Sequence, residues 1–347
     1  MLQRARLPWW DALLAGAALG ALAEALVLRL NPEVTLAGGG LLAGFLLWTS
    51  WGALGAGGPL LLVLAIWRRL RRGGEPDRWW PLPRLLAAMY LFAAVMSRVN
   101  ADLHPQLLSA SAHRILRQDA VAWLVVALLT LLIGRLVELA PGRRAARAAF
   151  AGALLVLPVV RLATNPTPPM QPTEGEIRAV GRPERPLLVL GIEGLDSRTV
   201  LGSGGDEQAA NLQALMATGS WGSVRPNRPY LRWSLWTTLV TGAEPGRHGV
   251  KSDRAWELSV VFAGPLRLMP WTPQGSRLIL PWYLARQVRP PEATLPPLWE
   301  WLRSSGVTTL AIDWPGVWGP DVELYDPRVA GDGVADLIPP ATTAAVE

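Results

Sequence analysis

The first 164 residues of the chain contain apolar runs that are long enough to cross a lipid bilayer. A helix needs about 20 apolar residues to span the hydrocarbon core, and we predict five spans. They cover residues 9–30, 37–67, 82–97, 120–140 and 146–164. The second run is longer than a straight crossing requires, and Gly57-Gly58-Pro59 predicts a kink inside it. Four or six spans are the alternatives, so this half is predicted to be a transmembrane bundle of about five α-helices.

Basic residues cluster on one side of this arrangement. The residues up to 164 carry 17 arginines against eight acidic residues, a net charge of +9, whereas residues 165–347 carry a net charge of −3. Arginine clusters precede the first span and follow the second and the fourth, at Arg4 and Arg6, at Arg68–Arg72 and at Arg143–Arg147. The positive-inside rule makes that side cytoplasmic. The sequence thus predicts an integral cell-membrane protein with a cytoplasmic N-terminus and an extracytoplasmic C-terminal domain.

The composition excludes several classes of function. No cysteine is present, which excludes disulfides, Cys-ligated zinc, iron–sulfur clusters and a thiol nucleophile. The three histidines are His104, His113 and His248. The basic residues lie between apolar runs and form no basic stripe, so we expect no nucleic-acid polymer as a partner. The lipid bilayer is the first predicted partner.

A glutamate inside a predicted span and a set of tryptophans in the helical half bear on function and on membrane anchoring. Glu24 lies within the first span, where a carboxylate is costly and marks a candidate functional group. The alternative is a Glu that is protonated or paired with another helix. Eight tryptophans of this half are compatible with interfacial belts, and a tryptophan-rich composition is the alternative. They are Trp9, Trp10, Trp48, Trp51, Trp67, Trp79, Trp80 and Trp123.

A Pro-rich polar segment, residues 165–186, follows the membrane half and is typical of an extended tether. From residue 187 onward, short apolar runs alternate with helical patterns, which predicts an α/β doubly wound fold. The predicted strands are 187–192, 220–224 and 307–312, and the predicted helices are 208–218, 234–240 and 296–305. We therefore divide the chain into a membrane domain (1–164), a linker (165–186) and an α/β domain (187–347).

Four strings in the C-terminal part resemble a known enzyme family. They are VLGIEGLDSRTV, LQALMATGSWGSVRP, SLWTTLVTGAEPGRHGV and LPPLWEWLRSSGVTTLAIDWPG. In this order they are similar to the type I phosphodiesterase/nucleotide pyrophosphatase branch of the alkaline phosphatase superfamily, over about residues 186–320. The resemblance implies an alkaline-phosphatase-like domain, of which this chain is expected to hold the front part. It also implies phosphoryl transfer assisted by divalent metals, zinc first, with Mn or Mg as alternatives.

The resemblance points to individual residues, and the chain departs from the family at two of them. Glu193 stands where the family has a metal-binding aspartate before glycine. Arg232 stands at the position of the Ser or Thr nucleophile, where a guanidinium suits a phosphate but repels metals. Ser234 is then the candidate substitute nucleophile, with a helix N-cap as the alternative. Thr237 is a candidate phosphate-binding group, and His248 lies in a turn that shapes the loop in the family.

A third departure is the shortage of metal ligands after residue 248. No histidine follows His248, and the acidic residues there are typical of solvated loops. Two hypotheses result. One is a membrane-anchored, outward-facing phosphoester hydrolase that acts on a nucleotide, a lipid headgroup or a glycan phosphate. The other is a truncated or degenerate pseudo-enzyme that binds a phosphate-containing ligand or a partner. A transporter or channel is a further alternative, which the scarcity of ionisable residues at membrane depth disfavours.

Overall fold

The computed structural model of this chain describes most of the helical half and parts of the C-terminal half. The described residues are 9–34, 40–70, 82–139, 143–168, 187–195, 200, 210–252, 254–259, 261–271, 286–288, 293–307 and 314. Most of the predicted tether and of the predicted strand 307–312 therefore lies outside the described residues.

Helices make up the described part of the N-terminal half, because a long apolar run satisfies its backbone polar groups internally when it is helical. They are α1 (Trp9–Leu30), α2 (Gly40–Gly52), α3 (Gly58–Leu70), α4 (Leu82–Leu103), α5 (Ala110–Leu139) and α6 (Arg143–Thr164). Within the described residues, five helical stretches are long and apolar enough to cross a membrane, which confirms the predicted number. The helix α5 begins at Ala110 and not at residue 120, because helical hydrogen bonding continues into polar turns beyond the apolar run.

A π-helical turn, Ala53–Gly57, joins α2 to α3 where the sequence predicts a kink. Glycines bring this region against α1. A Cβ atom on Gly20 would lie 1.9 Å from the carbonyl oxygen of Trp48, and one on Gly52 would lie 2.2 Å from the oxygen of Gly16. No larger residue fits there, so the two helices pack backbone to backbone, as membrane helices do at small residues.

Tryptophans lie inside the bundle as well as at its ends. Trp48 is fully buried against α1, and Trp123 packs beside Tyr90 with ring centroids 5.7 Å apart. The interfacial interpretation is wrong for Trp48 and Trp123, because small residues on the facing helices leave room for an indole in the core. Trp10, at the start of α1, is 77% exposed, as expected of a belt residue.

Three charged side chains, of which Arg29 and Asp119 are buried, form a cluster between α1, α5 and α6. The two carboxylate oxygens of Asp119 each accept a hydrogen bond at 2.8 Å, one from Arg29 Nε and one from Arg161 Nε. Arg29 also donates to the carbonyl oxygen of Asn165 and to Thr167 Oγ1. The cluster thereby joins three helices to the first residues of the predicted linker, and each buried charge has an opposite partner.

Glu24 is fully buried in α1, and its carboxylate oxygens have no hydrogen-bond partner among the described residues. It lies against α2, where a Cβ atom on Gly44 would come within 2.3 Å of Glu24 Oε1. A pairing with an arginine is therefore not seen in the described part of the chain. The protonated carboxyl stays a prediction.

The C-terminal half is less regular than predicted. Its described elements are α7 (Ala210–Thr218), α8 (Arg232–Thr241), α9 (Pro245–His248), β1 (Ala255–Glu257), β2 (Arg286–Val288) and α10 (Leu298–Ser304). The helices α7, α8 and α10 confirm three predicted helices. The strands β1 and β2 pair antiparallel, with Ala255 opposite Val288.

The predicted parallel sheet is not seen in the part of the chain that the structure describes. The segments 187–192 and 220–224 have no regular secondary structure and form no strand there. They are exposed, and Leu188 reaches 87%. The two predicted strands are therefore a departure, because an apolar run becomes a strand only where a neighbouring strand takes up its backbone hydrogen bonds.

The C-terminal half contacts one end of the helical bundle, formed by the ends of α1 and α4 and the start of α5. We call it the docking end. The side chain of Asn31 accepts the N–H groups of Arg267 and Leu268 and donates to the Leu268 carbonyl oxygen, at 2.7–2.8 Å. Asn100 likewise binds both backbone groups of Trp271. The side-chain amides of two buried asparagines thus satisfy the backbone hydrogen-bonding groups of this loop. At these positions the loop pairs with no strand among the described residues.

Apolar and ionic contacts extend this docking. Val261 and Phe262, which are 0% and 2% exposed, pack in one cluster with Val27 and Trp48 of the bundle. Lys251 pairs with Glu33 at 2.9 Å just beyond the end of α1. The described residues from 251 to 271 are therefore anchored on the bundle by burial, hydrogen bonds and charge.

Candidate functional site

The helix α8 carries three of the four candidate site residues. Leu231, in extended conformation (φ −112°, ψ 119°), precedes Arg232, the first helical residue. Gly242 ends the helix in the left-handed region (φ 65°), which glycine adopts without strain. Because Leu231 holds the N-cap position and no side chain caps the helix, the N-cap interpretation of Ser234 is wrong.

Arg232 and Glu193, to which the sequence assigns separate roles, form an ion pair. Arg232 Nε lies 2.8 Å from Glu193 Oε2, without the alignment of a hydrogen bond. The side chains are 34% and 52% exposed, so water screens the contact and it adds little to stability. An anion can reach this pair from solvent and compete with Glu193 for the guanidinium.

Tryptophan packing holds the two partners of the ion pair together. A Cβ atom on Gly191 would lie 2.4 Å from the Trp236 ring, so the segment 187–195 crosses α8 closely. Trp236 contacts Trp314 edge-on at 5.0 Å, and Trp314 contacts Trp299 of α10 at 6.1 Å. The sequence did not predict this cluster. The many tryptophans of the C-terminal half are the feature that could have indicated it.

Ser234 and Thr237 lie inside the helix packing. Ser234 is 1% exposed, and its hydroxyl has no hydrogen-bond partner among the described residues. Thr237 is fully buried and donates to the Trp233 carbonyl oxygen at 2.7 Å. A nucleophile or a phosphate-binding group needs access to its ligand, which neither hydroxyl has here. Their assigned roles stay predictions, and the structure brings only Glu193 and Arg232 together.

His248 lies in a hydrogen-bond network behind α8. The Val250 N–H donates to Nδ1 at 3.1 Å, which places the proton of the neutral ring on Nε2. Nε2 then donates to Thr238 Oγ1 at 3.1 Å, and that hydroxyl donates to the Ser234 carbonyl oxygen. Burial lowers the pKa of His248 to about 4. The ring is therefore neutral and shapes the loop, in keeping with the role that the resemblance implies.

The loops on both sides of α8 attach to the docking end. Gln106 Oε1 accepts the Arg228 N–H at 2.8 Å, and the Gln106 carbonyl oxygen accepts the Gly246 N–H at 3.1 Å. These bonds flank the helix on its N-terminal and C-terminal sides. The Arg232–Glu193 pair is thereby held close to the end of the bundle.

The metal ions that the resemblance implies do not fit the described residues. No group of three or more His, Asp or Glu side chains comes together within them. Glu193, the one candidate ligand, faces the Arg232 guanidinium at 2.8 Å, and this positive charge repels a metal ion. The acidic residues from Asp313 onward lie outside the described residues.

Comparison with known proteins agrees with the motifs. No curated protein and no solved structure matches the chain. Residues 187–339 match the family described as type I phosphodiesterase/nucleotide pyrophosphatase, which confirms the resemblance drawn from the four strings. The C-terminal half therefore contains a segment that matches this family over less than half of the chain, after a helical half with five candidate membrane spans.

Proposed function

We propose that the protein is membrane-anchored and outward-facing and that it binds a phosphoester through Arg232. The observation that carries the proposal is the solvent-accessible Arg232–Glu193 pair at the start of α8, within the family match. A helix start favours an anion, because its N–H groups are unpaired and the helix dipole is positive there. The guanidinium adds a fork of donors that suits a phosphate.

Binding exchanges one anionic partner of Arg232 for another. An exposed ion pair is worth about 0–1 kcal/mol, whereas charge-assisted hydrogen bonds contribute about 1.5–3 kcal/mol. Glu193 is half exposed, so water can solvate its carboxylate once a phosphate holds the guanidinium. The exchange is therefore favourable for a ligand that makes two or more bonds.

The docking end supports the outward orientation. In the sequence, the three arginine clusters flank the opposite ends of the predicted spans, the side that the positive-inside rule makes cytoplasmic. The C-terminal half binds the docking end through Asn31 and Asn100. The site then faces outward and the N-terminus faces the cytoplasm.

Hydrolysis is the first candidate activity, since the family match supports a phosphoester hydrolase. The substrate is a nucleotide, a lipid headgroup or a glycan phosphate. Zinc is the metal that the resemblance implies, with Mn or Mg as alternatives. A metal site requires that Glu193 leave Arg232 and that acidic residues outside the described part, such as Asp313 and Asp321, join it, a carboxylate set that suits Mg or Mn better than zinc. Ser234 is the proposed nucleophile and has to become accessible on ligand binding.

Phosphoester binding without turnover is the second candidate, and the same ion pair favours it. Arg232 stands at the nucleophile position and neutralises Glu193, the candidate metal ligand. Ser234 is buried. In this case the domain is a pseudo-enzyme that recognises a phosphate-containing ligand or partner.

We expect Arg232→Ala to weaken the binding of bis-p-nitrophenyl phosphate by about 10- to 150-fold, because it removes charge-assisted bonds worth about 1.5–3 kcal/mol. Isothermal titration calorimetry of the full chain in detergent measures the affinity. Arg254→Ala, at an exposed arginine outside the pair, is the matched control and should bind like the wild type. Equal affinity in both variants would contradict the role of Arg232.

Turnover separates the two candidates. Release of p-nitrophenol with added Zn²⁺ or Mn²⁺, lost in Ser234→Ala, supports the hydrolase. Arg232-dependent binding with no release supports the pseudo-enzyme. A wild-type chain that neither binds nor hydrolyses the ester refutes both.

A further inference from the structure

A second polar site lies on α5, outside the family match. A groove of about 800 Å³ opens there between the α4–α5 connection and the first turns of α5. Its lining includes Pro105, His113, Arg114, Arg117, Gln118 and Val121. We propose that this groove binds the headgroup phosphate of an anionic phospholipid, independently of the function proposed above.

The groove has an excess of positive charge. Arg114 is exposed and forms no ion pair with a described residue. Asp102 is the carboxylate that faces this region, and it is shared between Arg98 at 3.2 Å and Arg117 at 3.5 Å. Asp119 contributes nothing here, because it is buried between the two arginines of the interhelical cluster. Arg98 and Arg117 therefore share one carboxylate while Arg114 has none among the described residues, and the surplus positive charge complements a phosphate.

His113 adds a polar atom that lacks a partner. Its Nε2 lies 3.0 Å from the Pro105 carbonyl oxygen, whereas its Nδ1 is buried with no hydrogen-bond partner among the described residues. Because the carbonyl oxygen only accepts, Nε2 carries the proton of the neutral ring, and Nδ1 becomes an N–H donor only in the doubly protonated ring. In that form the ring adds a positive charge and a donor that has no other hydrogen-bond partner among the described residues.

The position of the groove along α5 favours a lipid. The 30 residues of α5 span about 45 Å, and the hydrocarbon core is about 30 Å thick, so roughly ten residues project beyond it. Arg135 lies near the opposite end, which puts Arg114 and Arg117 at headgroup level. Below them Val121 and Leu128 are 63% and 60% exposed. This exposed apolar stripe matches the acyl chains of a phospholipid. A free phosphate ion has no such chains, so the stripe favours the lipid.

The groove also adjoins the docking end. Pro105, in its wall, precedes Gln106, which binds the loops on both sides of α8. A phospholipid held there lies beside the part of the protein that carries the Arg232–Glu193 pair.

Native mass spectrometry of the full chain released from detergent tests the proposal, with phosphatidylglycerol or phosphatidylcholine added at equal concentration. We expect the wild type to prefer phosphatidylglycerol, and each of Arg114→Gln and Arg117→Gln to lower that preference about fivefold, as expected for one surface charge near a membrane. Arg114→Lys keeps the charge and should keep the preference. Asp102→Asn frees two arginines and should raise it.

Arg254→Gln, far from α5 in sequence, is the control for net charge and should behave like the wild type. A wild type without preference, or a preference unchanged in the double variant Arg114→Gln/Arg117→Gln, overturns the proposal. Displacement of the lipid by millimolar ammonium phosphate also overturns it, because the groove then binds free phosphate. The gain expected from Asp102→Asn keeps the test informative should the double variant fail to fold.

Discussion

Replacing Asp119 with alanine is expected to destabilise the protein by about 3–5 kcal/mol, the cost of removing one partner from a buried ion pair. Asp119 is 3% exposed and is the carboxylate to which both Arg29 and Arg161 donate. Its loss leaves the Arg29 charge uncompensated between helices. We expect the thermal midpoint, followed by intrinsic tryptophan fluorescence in detergent, to fall by roughly 10 °C.

Asp102→Ala is a matched control, because Asp102 also lies between two arginines, Arg98 and Arg117. Its side chain is 45% exposed, and exposed ion pairs contribute about 0–1 kcal/mol. The midpoint should therefore change little. Equal effects of the two alanine variants would show that burial does not distinguish the clusters and would contradict the interhelical role of Asp119.

His248 is expected to make the stability fall on acidification between about pH 6.5 and pH 4. Burial lowers its folded-state pKa to about 4, whereas an unfolded histidine titrates near 6.5. In this window the unfolded chain binds a proton that the folded chain does not, so stability rises with pH. The contribution is fully present above pH 6.5 and is lost as the pH falls, by about 3 kcal/mol in all. A proton on Nδ1 also disrupts the bond from the Val250 N–H.

Chemical unfolding at several pH values tests this expectation. His248→Gln should reduce the slope of stability against pH by about 1.4 kcal/mol per pH unit between pH 6 and 4.5. His104→Gln should act in the same direction, because burial also lowers the pKa of His104 to about 4. Gln118→Ala, at an exposed position without a titratable group, is the control and should leave the slope unchanged. An unchanged slope in His248→Gln would contradict a neutral, buried ring.

The long apolar helices could be predicted because their signal is local. A run of apolar residues must become a helix in a bilayer, and the number of five spans is confirmed among the described residues. The contacts of Asn31 with Arg267 and Leu268 could not be predicted, because they join residues more than 230 positions apart. Trp48 shows the same limit, since it is buried in one cluster with Val261 and Phe262, which lie more than 210 positions away in the chain.

The sequence could predict the residues of the candidate site, but it could not predict that Arg232 and Glu193 contact each other. The helical pattern that ends at Gly242 indicated α8, and the motif indicated position 232. Glu193 was expected to hold a metal, so a charge pair with Arg232 was not foreseen. The two departures from the family, Glu193 and Arg232, carry opposite charges and neutralise each other. Each motif contains only one of the two residues, so neither motif alone reveals the pair.

The central proposal is that a helical membrane platform holds the segment that matches the phosphodiesterase family on the outer face of the cell membrane. The chain has no cysteine, so single-cysteine variants report one position each. Ala217→Cys, at an exposed position of α7, should react with a membrane-impermeant maleimide in intact cells. Gly74→Cys, between the second and third spans, should react only after the cells are permeabilised. The reverse pattern would place the domain in the cytoplasm and contradict the account.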